Sequence, residues 1–223
     1  MKYYPINLRI KNRPCLIVGG GKVAFRKLCR LIDCSAKIQL ISPKVDSKIQ
    51  DKSDLANVEI IQRTVQQSDL DAMFMVFAAT DHAQVNESVA RWAFEKNVLC
   101  NIADRPDLSD FTLPSIIEQG DLNLTVSTNG KSPALSKYVC RRLKAEFGDE
   151  YAIFLNMMGH IRNILSNEIS DQEDRQKIYR SLIDSPLLEC FKENDMEQVS
   201  SICQDLTGFA FDDIMQCQCQ NNE

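Results

Sequence analysis

The sequence has no apolar run approaching the roughly 20 residues that a membrane-spanning helix needs. Its first residues also lack the apolar stretch of a secretory signal. Basic residues are not in excess, since 26 lysines and arginines stand against 31 aspartates and glutamates, a net charge of −5. This balance disfavours a general nucleic-acid-binding protein. We therefore expect a cytoplasmic protein that binds neither a membrane nor nucleic acid.

Residues with the spacing of a metal site or a catalytic triad are also missing. The two histidines, His82 and His160, are far apart and have no ligand-like neighbours. The nine cysteines include no Cys-x-x-Cys pair. Cys217 and Cys219 are close enough to catch a metal, but a solvent-exposed terminus explains them more simply. Gly-x-Ser-x-Gly and the P-loop pattern are absent, so the sequence predicts neither a metal site nor a serine triad.

Glycine is scarce, yet three of the eight glycines are consecutive, at positions 19–21. They follow a short apolar run and precede a helix-forming run, in the pattern Gly-x-Gly-x-x-Ala that ends at Ala24. Gly19 allows the tight turn, Gly21 lets the backbone approach a pyrophosphate, and Ala24 lets the helix pack close to the sheet. Free N–H groups at the helix N-terminus attract phosphates. The stretch therefore predicts a dinucleotide-binding turn.

Apolar runs alternate with helical patterns through the first half of the chain. Strands are predicted at residues 15–18, 37–41, 58–61, 73–79 and 98–102, and helices at 23–32 and 83–96. The run 73–79 is nearly all apolar, which is typical of a strand buried on both faces of a parallel sheet. The alternation predicts an α/β fold with a Rossmann-like, doubly wound parallel sheet. Ligands of such sheets bind at the carboxyl ends of the strands.

The ends of the second and fifth predicted strands carry the informative polar residues. After the second strand, Ser42, Pro43 and Lys44 stand where an acidic residue usually meets the adenosine ribose. Ser42 or backbone groups must then hold the ribose, and Lys44 leaves both NAD and NADP open. Asp104 follows the fifth strand, where it is either a general base or part of an Asx-type turn before Arg105. The spacing alone does not choose between these two interpretations.

The pattern changes after residue 110. A strand and loop at 111–120, an alternating strand at 122–127 and a helix from Ser132 to about 147 are predicted, and helical patterns follow from Tyr151 to Leu206. We divide the chain into an NAD-binding domain, a small α+β dimerisation segment and a helical C-terminal domain, at residues 1–113, 114–150 and 151–223. Residues 131–144 contain five cations and no acid, which indicates either a solvated helix face or a site for a polyanionic substrate.

Several motifs together resemble one known family. They are Gly19-Gly20-Gly21-Lys22-Val23-Ala24, Ala78-Ala79-Thr80-Asp81, Asn101-x-Ala103-Asp104-x-Pro106, Phe111-x-x-Pro114-Ser115-Ile116-Ile117 and Ser127-Thr128-Asn129-Gly130-Lys131-Ser132-Pro133-Ala134. In this order and spacing, they resemble the precorrin-2 dehydrogenase family, which includes the N-terminal module of bacterial sirohaem synthase. The resemblance is close over residues 3–147 and looser over the helical remainder.

The resemblance implies that NAD oxidises precorrin-2 to sirohydrochlorin in a homodimer. It places the essential aspartate of the family on Asp104 and favours NAD over NADP. The implied cofactor-binding residues are Gly19, Gly21, Lys22, Val23, Ser42, Pro43, Lys44, Ala79, Thr80, Asp81 and Asn101. The implied substrate-binding residues are Arg105, Ser127, Asn129, Lys131, Ser132 and Lys137.

Two alternatives to a simple dehydrogenase stay open. Some relatives also insert iron into sirohydrochlorin, and the glycine turn alone would also suit a dinucleotide sensor without chemistry. The chain ends without the methyltransferase domain of the fused enzymes, so we expect it to use precorrin-2 made elsewhere. Thr128 stands where some relatives carry a phosphorylated serine.

Overall fold

The computed structural model describes residues 3–216, which form two compact units divided after Leu113. Cys217 and Cys219 lie outside the described residues. Within the described part of the chain, no helix is long and apolar enough to cross a membrane. The further division of the second unit into a dimerisation segment and a helical domain stays a prediction.

The first unit is built on a parallel sheet. Its five strands have the order β3-β2-β1-β4-β5 and run over Pro14–Val18 (β1), Lys37–Ile41 (β2), Val58–Ile61 (β3), Met75–Ala78 (β4) and Leu99–Ile102 (β5). Its helices are Lys22–Asp33 (α1), Ser47–Gln50 (α2) and Ala83–Lys96 (α3). Short 3-10 turns cover Gln67–Leu70 and Pro106–Leu108.

Successive side chains of β1 enter two separate cores, because a strand turns alternate residues to opposite faces. Cys15 and Ile17 pack with Leu28 of α1, whereas Leu16 and Val18 pack in the core that contains Val89 of α3. Helices therefore cover both faces of the sheet, and the predicted doubly wound α/β class is confirmed. Every residue of β4 is buried, as the apolar run 73–79 indicated.

The strand register brings the functional loops to one edge of the sheet. Val18, the last residue of β1, pairs with Ile41 of β2 and with Ala78 of β4. Ala78 in turn pairs with Ile102 at the end of β5. The loops that follow these four strand ends therefore start side by side, as expected for a ligand site at the carboxyl ends of a parallel sheet.

The second unit begins with an antiparallel hairpin and continues as helices. The strands Ser115–Gln119 (β6) and Leu122–Val126 (β7) pair from Ser115 opposite Val126 to Gln119 opposite Leu122. The helices are Pro133–Glu146 (α4), Glu150–Glu168 (α5), Gln172–Ile183 (α6), Leu187–Glu193 (α7), Met196–Thr207 (α8) and Phe211–Gln216 (α9). The sequence pattern did not predict α9, which has only six residues and two acids in its first turn.

A single apolar cluster holds the helices of the second unit together. Met157 and Ile161 of α5, Leu182 of α6 and Val199 of α8 are all fully or almost fully buried in it. Phe154 and Leu165 of α5 are buried in the same cluster, so one apolar face of this helix packs against a core, as an amphipathic helix requires.

Candidate dinucleotide and catalytic site

The first two glycines of the turn are required by the fold itself. Gly19 has φ +122°, a backbone conformation that residues with a side chain rarely adopt. A Cβ at this position would overlap the carbonyl oxygen of Ala79. A Cβ on Gly20 would overlap the carbonyl oxygen of Lys44 and lie 2.9 Å from Ser42 Oγ. The chain at Gly19 and Gly20 is therefore wedged between the ends of β4 and β2.

Gly21 differs, because no protein atom lies within 4 Å of the position its Cβ would take. Its φ of −97° suits any residue, and it is the N-cap of α1 without a side-chain hydrogen bond. The first turn of α1 carries no acid, so its N–H groups and the positive end of the helix dipole face open space. This arrangement fits the phosphates of a dinucleotide. Ala24, which is fully buried, lets the helix lie close to the sheet.

The loop after β2 uses Ser42 internally. Ser42 is buried, and its hydroxyl donates a hydrogen bond of 2.7 Å to the carbonyl of Lys44. The side chains of Pro43 and Lys44 are exposed. The amide of Asp46 donates to the carbonyl of Gly20 at 2.9 Å, which joins this loop to the glycine turn. Surfaces for a ribose are therefore offered by Pro43 and Lys44 more readily than by the Ser42 hydroxyl.

The turn after β4 is closed by Asn86, a residue that the sequence did not single out. Its side-chain oxygen accepts a hydrogen bond of 2.7 Å from the Thr80 hydroxyl, and its amide donates to the Thr80 carbonyl at 3.0 Å. Asn86 lies on α3 and is only 8% exposed. A small cavity of about 170 Å³ opens beside this turn, with Asp81, Ala103 and Arg105 in its lining.

Asp104 lies exposed in the turn after β5, in the left-handed region with φ +62°. The amide of Ala103 donates to the Ala78 carbonyl at 2.9 Å, and that of Arg105 to the Ile102 carbonyl at 3.3 Å. The flanking hydrogen bonds thus hold Asp104 in a sparsely populated conformation. Such strain often marks a functional residue.

Asn101 and Arg105 flank Asp104 and are both engaged within the unit. Asn101 is buried, and its amide donates to the Phe111 carbonyl at 2.9 Å. The guanidinium of Arg105 forms ion pairs with Asp107 at 2.8 Å and Glu87 at 3.2 Å. The hydrogen bonds that the guanidinium donates to these carboxylates, to Asp107 foremost, hold the pKa of Arg105 above its usual range. A substrate carboxylate at Arg105 would have to share or displace these partners.

In the second unit, the hydroxyl of Thr128 organises the loop between β7 and α4. It accepts a hydrogen bond from the Ser132 amide at 3.2 Å and lies 3.2 Å from the hydroxyl of buried Ser136. Ser132 caps α4 by accepting from the Leu135 amide at 3.2 Å. Four of the predicted substrate-binding residues lie in or beside this loop and are exposed or half-buried: Ser127, Asn129, Lys131 and Ser132. Lys137, on α4, is exposed as well.

An open groove of about 580 Å³ lies between β6 and α4. Ile116 and Ile117 line it from β6, and Cys140, Arg141 and Lys144 line it from α4. Part of the basic run 131–144 therefore faces a groove. The groove depends on how the hairpin packs on the helix, so the sequence pattern alone could not predict it.

Clusters of three or more histidine, cysteine, aspartate or glutamate side chains that could hold a metal are not found among residues 3–216. Several cysteines are buried instead. Burial, with a smaller contribution from the charge of Asp110, raises the pKa of Cys100 to about 12, and burial raises that of Cys203 to about 11. These thiols are protonated at neutral pH and pack as small apolar side chains.

The fold and the turn define an α/β dinucleotide-binding protein of the Rossmann type. Residues 6–115 match a family described as "Putative NAD(P)-binding". The siroheme synthase of Photobacterium profundum is 31% identical over 201 residues, which are 89% of this chain and 43% of that protein. The siroheme synthase of Nitrosococcus oceani is 31% identical over 85% of this chain and 40% of its own length. These comparisons support the predicted resemblance: over most of its own length, the chain is a relative of the siroheme synthases.

The chain also resembles a solved structure, but it corresponds to only part of the siroheme synthases. A structure titled "SirC, precorrin-2 dehydrogenase" superposes with a TM-score of 0.78 at 21% identity, over 93% of this chain and 100% of that one. This match shows a common fold. The chain spans about two fifths of the length of the siroheme synthases it matches.

Proposed function

We propose that this chain is an NAD-dependent dehydrogenase that oxidises precorrin-2 to sirohydrochlorin in the cytoplasm. The observation that carries the proposal is the position of Asp104. This exposed carboxylate is held in a strained turn after β5, at the same sheet edge as the open N-terminus of α1. A dinucleotide sensor needs the open N-terminus of α1, but it has no use for a carboxylate held beside it.

The cofactor part of the site rests on the glycine turn. The space above Gly21 accommodates a pyrophosphate, and the amides of Lys22 and Val23 are placed to donate to it. Pro43 and Lys44 border the ribose, and Ala79, Thr80 and Asp81 lie at the neighbouring strand end. NAD, when bound, accepts the hydride.

Asp104 is proposed to accept the proton that leaves the macrocycle with that hydride. Removal of a hydride and a proton is a two-electron oxidation, so the charge balances when the carboxylate takes the proton. The exposed side chain of Asp104 is free to approach a bulky substrate. We assign Lys131 and Lys137 to the substrate carboxylates, because both ammonium groups are exposed.

A homodimer is part of the proposal. Three large apolar side chains stay exposed on β6 and α4: Ile116 at 38%, Leu135 at 51% and Tyr138 at 47%. A two-stranded hairpin is also rarely stable without further packing. Pairing of this surface with a second copy would bury these side chains. A monomeric mass in light scattering at micromolar concentration would contradict it.

The decisive test is production of NADH when purified protein, NAD and precorrin-2 are mixed without oxygen. We expect turnover with the wild-type chain, and a loss of at least about 100-fold in Asp104→Asn with NAD affinity unchanged. The exposed Asp121→Asn is the matched control and should keep full activity. NAD binding without NADH production would support a sensor and contradict the dehydrogenase.

A further inference from the structure

Lys27 lies on α1, one turn beyond the glycine turn, and its side chain reaches across the sheet edge. Its Nζ is 5.3 Å from the centre of the Phe77 ring on β4. The same Nζ donates a hydrogen bond of 3.4 Å to Asn101 Oδ1 on β5. One ammonium thus joins the cofactor-binding helix to both strands that lead to the catalytic edge.

The surroundings of this ammonium are unusually apolar for a lysine. Phe111 packs edge-on against Phe77, with ring centres 5.6 Å apart and planes at 86°, and its carbonyl holds the amide of Asn101. Burial, followed by the like charge of Arg26 on the same helix, lowers the pKa of Lys27. The carboxylate of Asp104 opposes both effects and raises it. Asp104 is therefore the acid whose charge supports the ammonium.

Partial burial of an ammonium is unfavourable unless its partners compensate for the lost hydration. A hydrophobic side chain would fill the same space beside Phe77 at no such cost. The second pairing partner, Asn101, stands three residues before Asp104 and directly before the strained turn. The charged Lys27 side chain thus forms its hydrogen bond with a residue of β5, the strand that leads into the Asp104 turn.

We propose that Lys27 is a positioning residue for the dehydrogenase reaction. It anchors Asn101, and with it the turn that carries Asp104, to the cofactor-binding helix, and its positive charge interacts electrostatically with the Asp104 carboxylate. The proposal rests on the function proposed above. It adds that the helix that binds the dinucleotide and the carboxylate that takes the proton are coupled through one ammonium.

The first test compares Lys27→Met, which keeps the length without the charge, with Lys27→Arg, which keeps the charge. We expect Lys27→Met to lower kcat about tenfold while the KM for NAD changes less than about twofold, because the glycine turn is untouched. Lys27→Arg should recover kcat to within about threefold of wild type. The exposed Lys48→Met makes the same change in net charge and should leave kcat unchanged. An unchanged kcat in Lys27→Met, or equal losses in Lys27→Met and Lys27→Arg, would overturn the proposal.

The second test does not depend on activity. The pKa of the Lys27 ammonium can be followed by NMR in the wild type and in Asp104→Asn. We expect this pKa to fall further in Asp104→Asn, because the opposing carboxylate charge is lost, whereas Asp121→Asn should not move it. An unchanged Lys27 pKa in Asp104→Asn would overturn the coupling. A lowered pKa in a chain that produces no NADH would instead refute the proposed function alone.

Discussion

Replacement of Gly21 by alanine separates what the fold requires from what a ligand requires. No protein atom lies within 4 Å of the added methyl group, and the backbone at Gly21 suits any residue. The only cost to the fold is the poorer N-cap that alanine makes, about 1 kcal/mol at most. For a chain of this size, that lowers Tm by about 2–4 °C.

The same methyl group would occupy the space assigned to the pyrophosphate. Forcing an extra carbon into a close contact costs about 1–3 kcal/mol. At about 1.4 kcal/mol for each tenfold change, NAD should bind about 5-fold to 140-fold more weakly. Gly20→Ala is the matched control with the opposite behaviour, because its Cβ would overlap the Lys44 carbonyl. We expect it to lose about 2–4 kcal/mol of stability.

Titration of each variant with NAD by calorimetry, together with thermal unfolding by circular dichroism, measures both effects. Gly21→Ala should weaken binding with little change in Tm, and Gly20→Ala should lower Tm strongly. NAD affinity equal to wild type in Gly21→Ala would show that the dinucleotide does not cross this turn. A Gly20→Ala variant as stable as wild type would refute the close approach to the β2 loop.

Three further predictions concern the same unit. Asp104→Gly should lower kcat at least about 100-fold. Its Tm should stay unchanged or rise by up to about 3 °C, because glycine accepts a positive φ without strain. A clear drop in Tm would contradict this reasoning. The raised pKa of Cys100 predicts that, at pH 8, iodoacetamide labels it far more slowly than the exposed Cys34, as measured by mass spectrometry; comparable labelling would be the refuting result. The Cys100 thiol loses its proton at a lower pH in the unfolded chain than in the folded chain. The free energy of unfolding should therefore fall as the pH rises above about 8.5. Asn86→Ala should cost about 2–3 kcal/mol in urea unfolding, since it removes the three hydrogen bonds between Asn86 and Thr80, whereas the exposed Gln84→Ala should cost little.

Local pattern was enough to predict the sheet and the place of the glycine turn. The run 73–79 has no polar residue because both faces of β4 are covered, and that requirement is visible in a single sequence. The position of Asp104 at a strand end followed from the same reasoning. Its left-handed conformation did not, since one of the two flanking hydrogen bonds, from the Ala103 amide to the Ala78 carbonyl, exists only once β4 and β5 are paired.

Contacts between residues that are distant in sequence could not be predicted from the sequence pattern. The side chain of Lys27 is half-buried against Phe77, a contact that the sequence pattern of residues 23–32 does not indicate. Gly20 had no assigned role, because its contact with Lys44 exists only once β1 and β2 are paired. The sequence assigns the ribose to Ser42 or to backbone groups, and it does not reveal that the Ser42 hydroxyl donates a hydrogen bond to the Lys44 carbonyl within the loop.

The contact between Gly20 and Lys44 has a consequence for how cofactor preference can change. The main-chain carbonyl of Lys44 lies against the glycine turn, while the residue as a whole is exposed. Residue 44 can therefore exchange a cation for an acid or a neutral group without shifting the phosphate-binding backbone. In the proposed site, discrimination between a free ribose hydroxyl and a 2′-phosphate would therefore be separate from pyrophosphate binding at the glycine turn. A substitution at this one exposed position would then be enough to change the preferred dinucleotide.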